Sequence, residues 1–125
     1  MSIIGIGIDM IKINRCKKLI LLHGFKILNR ILSSNELIKY NNKKKENYLA
    51  KIFSVKEALS KASGLNIFSK MFFKNCELGN NKKGKPVLLI SGKIKKTLEK
   101  LNVKKIFLSI TDTEKYVQSI IILEK

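Results

Sequence analysis

The chain has 125 residues, 45% of them hydrophobic, which is enough for one domain with a real core and leaves little room for a second. Its 26 lysines and arginines against 9 acidic residues give a net charge of +17, which favours acidic partners: nucleic acid, an anionic membrane or an acidic protein. No run approaches the roughly eighteen apolar residues of a membrane span, and the first residues lack the basic-then-apolar plan of a signal peptide, so a cytoplasmic location with no membrane partner is expected.

The charge has a second explanation. Only Arg15 and Arg30 are arginines, and lysine, isoleucine and asparagine are abundant together, as an A+T-rich coding sequence would produce. Cys16 and Cys76 are far apart and lack CxxC spacing, so neither a zinc site nor a disulfide framework is expected. The single histidine, His23, precedes Gly24 at what reads as a helix end. That excludes two-histidine metal sites and argues against Ser-His-Asp chemistry.

Residues 3 to 13 alternate as a strand, with Ile4, Ile6 and Ile8 on one face and Gly5, Gly7 and Asp9 on the other. Glycine inside a strand weakens it and marks close approach of a backbone or a ligand. Two readings stand here: a cleared surface leading to a carboxylate, or a strand packed beneath a helix with Asp9 capping the next element. The GxG lacks the third glycine and the helix of a dinucleotide fingerprint.

Asn14 is a favourable N-cap for a short helix carrying Arg15, Lys17 and Lys18 and closing near Gly24. Phe25, Leu28, Ile31 and Leu32 repeat at helical spacing. Ser33-Ser-Asn-Glu36 reads as a capping box that opens a further helix, and Asn41 to Glu46 reads as a solvated loop. A long helix spans about Glu46 to Ser63, with Gly64 as its stop. Phe72 to Leu78 reads as a strand, Gly79 to Pro86 as a turn and Val87 to Ile90 as the returning strand. Ser91 opens a helix through Leu101, and Lys105 to Thr111 and Tyr116 to Leu123 make a final hairpin. The order predicts a single α+β domain over residues 1–125, a largely antiparallel sheet packed on helices.

The long helix carries the polar residues that solvation alone does not explain. At about 100° per residue, Leu49, Ile52, Phe53, Leu59 and Ala62 share one broad face, and Lys56 projects among them. Glu57 lies at the edge of that face, and Ser60, Lys61 and Gly64 come round to the same side. Carboxylate, hydroxyl, ammonium and bare backbone on one border could hold a metal and a phosphate. An ordinary amphipathic helix with a snorkelling lysine would account for the same residues.

Gly5-Ile-Gly-Ile-Asp9, Phe53-Ser-Val-Lys-Glu-Ala58, Lys61-Ala-Ser-Gly64 and Gly84-Lys-Pro86, in this order and at this length, carry a resemblance. The sequence resembles the small bacterial holo-acyl-carrier-protein synthases of the 4'-phosphopantetheinyl transferase family, almost end to end, through Leu32-Ser-Ser-Asn-Glu36 and the hairpin of Leu108-Ser-Ile-Thr-Asp112 and Tyr116. The resemblance implies transfer of the phosphopantetheine arm from coenzyme A to a serine of apo-acyl-carrier protein, releasing 3',5'-ADP, in fatty acid biosynthesis. It implies Mg²⁺ on Asp9 and Glu57, a carboxylate pair suited to that ion. It also implies Lys56 and Lys61 beside coenzyme A, with Gly64 and Gly84-Lys85-Pro86 as walls of its site and Lys61 among the catalytic groups. The serine proton would go to Glu57 or to a metal-held water. Arg15 matches a basic residue that faces the acidic carrier, and family members form trimers with sites between subunits.

Three positions depart from the pattern: Phe107 stands where many members carry histidine, Ile52 where an arginine is frequent, and Lys12 where an acid is frequent. Phe107 is the hint of a degenerate member that only docks the carrier. The rival from another class, a small nucleic-acid-binding protein, rests on the +17 charge. The scattered lysines and the absence of tryptophan and of an aromatic-basic strand pattern weigh against specific nucleic-acid binding.

Overall fold

The computed structural model describes residues 2–40, 45–69 and 71–125. Strand β1 (Ile3–Lys12) runs directly into helix α1 (Ile13–His23), followed by α2 (Phe25–Ile31), α3 (Ser34–Tyr40) and the long α4 (Lys45–Ser63). A hairpin of β2 (Cys76–Asn80) and β3 (Pro86–Ile90), helix α5 (Gly92–Lys100) and a hairpin of β4 (Lys105–Asp112) and β5 (Tyr116–Glu124) complete the order. β5 lies between β1 and β4 in an antiparallel sheet, and β2 pairs with β3. The fold is therefore α+β with antiparallel sheets, as the element order predicts. Among the described residues no helix is long and apolar enough to cross a membrane.

The glycines of β1 set how closely α4 lies on the sheet. A Cβ at Gly7 would fall 1.8 Å from the carbonyl oxygen of Ala58, and one at Gly5 would fall 1.9 Å from that of Ala62. Only bare backbone permits this approach. The glycine face, with Asp9 and Ile11, is thus the one covered by α4, while Ile6, Ile8 and Met10 look outward and are about half exposed. The outer face continues across the sheet in register, with Phe107 opposite Ile122 and Ile122 opposite Ile6. It is an apolar surface left open by the described residues.

Helix α4 fills the core with Leu49, Ala50, Ile52, Val55, Ala58, Leu59 and Ala62, all buried against Val117, Ile121 and Leu123 of β5 and against Ile31, Leu32 and Phe72. Each of its larger aliphatic side chains contributes about 1.5–3 kcal/mol by leaving water. The helix stops as expected: Gly64 takes a left-handed φ of 75°, and its amide donates to the Ser60 carbonyl at 2.9 Å. The capping box is also present, with the Ser33 amide donating to Glu36 Oε1 (2.8 Å) and the Glu36 amide to Ser33 Oγ (3.2 Å).

Several boundaries differ from the expectation. α1 begins at Ile13, so Asn14 lies inside its first turn, not at its cap; the Ile13 amide is taken by the Lys115 carbonyl at 2.9 Å, and no side-chain cap is used. β2 begins only at Cys76. Residues 71–75 instead form tight turns that put both Phe72 and Phe73 into the core, edge to face at 6.0 Å, which adjacent strand residues on opposite faces could not achieve. Gly79 and Asn80 belong to β2, and α4 begins at Lys45, one residue before the expected Glu46. The remainder of the expected loop, Asn41 to Lys44, lies outside the described residues.

Candidate active site

Asp9 sits in a row that crosses the sheet beneath α4, paired with Ser119 of β5, which is paired in turn with Ile110 of β4. Ser54 of α4 donates to the Asp9 carbonyl oxygen (3.3 Å) and shares a 2.9 Å hydrogen bond with Ser119. This buried hydroxyl pair fixes the helix over Asp9. Glu57 follows Ser54 by three residues and Lys61 follows by seven, so both reach the same edge of the sheet. Lys61 Nζ donates to the Ile8 carbonyl (3.0 Å) and to Asp9 Oδ1 (3.3 Å).

Asp9, Glu57 and Lys61 are thus brought together, and Arg15 stands close enough to act on Glu57. Partial burial raises the Glu57 carboxyl above its ordinary range, and the Asp9 charge raises it further; Lys61 and Arg15 pull it down. A carboxylate disfavoured by burial and by a neighbouring carboxylate gains by sharing a cation with it. No cluster of three or more potential metal ligands occurs among the described residues, so any ion here would draw its remaining ligands from substrate and water.

Lys56 has a different place from the one expected beside a ligand. It is fully buried, and its ammonium donates to Glu36 Oε1 (2.7 Å), the Ile31 carbonyl (2.8 Å) and the Phe73 carbonyl (2.7 Å). All three donors are used internally, so Lys56 neither snorkels nor reaches the Asp9 corner. Ser60, on the same border of α4 as Glu57, donates to the Leu65 carbonyl (2.6 Å) and serves the end of the helix. Beside Gly64 the space where a side chain would stand is open, which leaves its backbone accessible.

The Gly84-Lys85-Pro86 turn lies elsewhere. Asn81 organises it, its Oδ1 accepting from the Lys83 and Lys85 amides at 2.9 Å each, while Gly84 adopts a φ of 84°. Pro86 and the neighbouring Gly79 and Asn80 wall an open cleft of about 830 Å³, together with Lys39, Tyr48, Lys51 and Asp112. Lys51 and Asp112 form a half-exposed ion pair at 3.3 Å. Of these cleft residues sequence reasoning found Pro86 and missed the others; they come from five elements, and no local spacing links them. Ile52, at the frequent arginine position, is buried in the core, whereas Lys51 beside it faces the cleft. Phe107 lies on the outer face of β4, on the opposite side of the sheet from Asp9.

The family model of the 4'-phosphopantetheinyl transferase superfamily matches residues 5–121. The chain belongs to this superfamily. It is 55% identical to the holo-acyl-carrier-protein synthase of Buchnera aphidicola subsp. Cinara cedri, over the whole of both chains. Among solved structures, it is similar to the holo-acyl-carrier-protein synthase of Neisseria meningitidis, with a TM-score of 0.93, 34% identity and coverage of 99% of this chain and 100% of the other. A Bacillus anthracis holo-acyl-carrier-protein synthase in complex with CoA (3',5'-ADP) matches with a TM-score of 0.79 and 31% identity, over 98% of this chain and 97% of the other. The protein is therefore an enzyme of the phosphopantetheinyl transferase class, with the fold of that superfamily.

Proposed function

We propose that the protein transfers the 4'-phosphopantetheine arm of coenzyme A to a serine hydroxyl of apo-acyl-carrier protein, in a Mg²⁺-dependent reaction serving fatty acid biosynthesis in the cytoplasm. The relatives named for this activity, one of them in complex with CoA, support the substrate. The observation that carries the reading is the corner where Asp9, Glu57 and Lys61 converge on one sheet edge.

The donor set fits magnesium: two carboxylates, one of them raised by burial and by the other's charge, in no larger cluster of His, Cys, Asp or Glu among the described residues. When bound, the ion would neutralise the diphosphate of coenzyme A and favour departure of the 3',5'-ADP phosphate. The residues of the chain supply the rest. Lys61, anchored on the Ile8 carbonyl and Asp9, offers a point charge to phosphate oxygen. The serine oxygen attacks phosphorus, the bond from phosphorus to the oxygen of 3',5'-ADP breaks, and the serine proton passes to a base. Glu57, beside Asp9 and Lys61 at this corner, is the carboxylate the chain offers for that role. Gly64 leaves room for phosphate beside its backbone, and Lys39, Lys51 and Pro86 line the cleft suited to the nucleotide, with Gly84 and Lys85 leading into Pro86.

Within one chain these halves are divided. Asp9 is on edge strand β1 and the cleft is walled by β4, two strands or roughly 10 Å away, with α4 packed between them over β1 and β5. The open apolar face of Ile6, Ile8, Met10, Phe107, Ile120 and Ile122 offers a surface for further copies. Both facts support a homotrimer in which the carboxylates of one copy meet the cleft of the next. Arg15, exposed at the start of α1 and close to Glu57, is placed to draw acidic side chains of the carrier toward the reacting corner.

The test is mass spectrometry of apo-acyl-carrier protein incubated with this protein, coenzyme A and Mg²⁺. A gain of one phosphopantetheine arm, lost with chelator and with Asp9→Ala, is the expected result. Folded protein that gives no gain with any carrier would overturn the reading.

A further inference from the structure

Lys56 and Glu36 form a buried ion pair that the transfer chemistry does not use, and its connections run in a particular direction. Lys56 precedes Glu57 on α4 and is tied to the end of α2 at Ile31 and to the 71–75 turns at Phe73. Glu36 is bonded through Oε1 to Lys56 and to the Ser33 amide, and through Oε2 to the Leu78 amide of β2 at 2.8 Å. Ser33 extends the contact, its hydroxyl donating to Glu77 of the same strand at 2.8 Å. The next residues of β2, Gly79 and Asn80, are walls of the cleft, and Pro86 opposite Asn80 is another. Tyr48, also on the cleft wall, packs near enough to this group that burial, with the charges of Glu36 and Glu77, pushes its phenol up to about 12.

A buried ion pair is a poor device for stability alone, because apolar residues of similar volume do as well or better. It is a good device for fixing geometry, since each charge accepts few arrangements of its partners. We propose that Lys56 and Glu36 are positioning residues for nucleotide binding: they fix the β2–β3 hairpin against α4, and so set the width of the cleft, without touching a ligand. The inference rests on the cleft's holding the nucleotide end of coenzyme A.

The test compares wild type, Glu36→Gln and Lys56→Met, all confirmed folded by circular dichroism and assayed well below their melting temperatures. Glu36→Gln keeps the size of the side chain and a hydrogen-bonding head. The probe is adenosine 3',5'-bisphosphate by calorimetry, with steady-state transfer to carrier protein beside it. The expected result is a tenfold or greater loss of nucleotide affinity and a matching rise in KM for coenzyme A, with kcat changed less than threefold. Lower melting temperatures with unchanged affinity and KM would mean a merely structural pair and would overturn the proposal. If both variants fail to fold, hydrogen exchange on the wild type decides. Nucleotide should slow exchange at the Ser33 amide, which lies outside the cleft lining, because coupling between cleft and ion pair is reciprocal, and unchanged exchange on saturation counts against it. Wild-type protein that binds no nucleotide would remove the reading of the cleft itself, a result separable from variants that bind as well as wild type.

Discussion

Replacing Gly7 by alanine tests the link between the sheet and the reacting corner. The added Cβ would stand 1.8 Å from the Ala58 carbonyl oxygen and 2.7 Å from the Ala62 nitrogen, both backbone atoms of α4. Ordinary contact begins near 3.4 Å, so the helix must retreat by about 1.6 Å at this point. Overpacking of this kind costs about 1–3 kcal/mol or more when backbone has to move. For a domain of this length that is a fall in melting temperature of roughly 4–15 °C. The same retreat carries Glu57 and Lys61 away from Asp9, and a displacement of about 1 Å at a reacting centre can cost on the order of a hundredfold in rate. Circular dichroism melts and single-turnover transfer assays, run below both melting points, read the two effects separately. Gly79→Ala is the control for the melts alone, because its Cβ would meet only Leu89 Cδ1 at 3.6 Å; its stability should stay within about 0.5 kcal/mol of wild type. A Gly7→Ala protein that melts and turns over like wild type would show that the close approach is not what fixes the corner.

Glu57→Gln should abolish transfer yet raise the melting temperature of the metal-free protein at neutral pH. The folded Glu57 carboxyl titrates above its ordinary 4.5, so its stabilising share is present at low pH and is lost as pH rises from the unfolded toward the folded value. The melting curves of variant and wild type should therefore draw together on acidification, and a difference that ignores pH would contradict the assigned environment. Arg15→Glu should weaken carrier binding much more than coenzyme A binding, both read by calorimetry; equal losses would remove Arg15 from the docking surface. Ile122→Lys, at the centre of the open apolar face, should give monomers by light scattering and lose activity with the assembly; an unchanged mass would exclude that face as the interface.

Much of the fold is legible because it is locally written. The Gly5, Gly7 and Asp9 alternation, the Ser33 to Glu36 box, the α4 periodicity and the Gly64 stop all depend on residues within a few positions of one another, and all stand in the structure. The alternation does not say which face of β1 is covered, since isoleucines suggest a buried face until the approach of α4 to the glycines is seen. Lys56 escapes a local reading because its acceptors come from Ile31, Glu36 and Phe73, and only the tertiary fold gathers them. The Phe72 to Leu78 boundary fails for a related reason: two adjacent aromatics read as strand, but the core takes both rings from one side. Of the candidate site, helical spacing links Glu57 with Lys61 and only the family resemblance adds Asp9 and the cleft wall Pro86, whereas Ser119 and the rest of the cleft lining from Lys39 to Asp112 carry no such signal.

The pairing of β1 with β5 has a consequence for the order in which the molecule can be built. Ile3 meets Glu124 and Lys12 meets Tyr116, so β1 waits for a strand that follows it by about a hundred residues. At about 5–20 residues per second of synthesis, that wait is on the order of 5–20 s. During it α4 can cover the glycine face, but the edge of β1 that β5 will take stays unpaired and its outward isoleucines stay bare. Closure through so distant a contact is slow by nature. The corner of Asp9, Glu57 and Lys61, which needs Ser119 beside Asp9, therefore comes into being only once β5 has been made, so the nascent chain carries α4 before it carries the site.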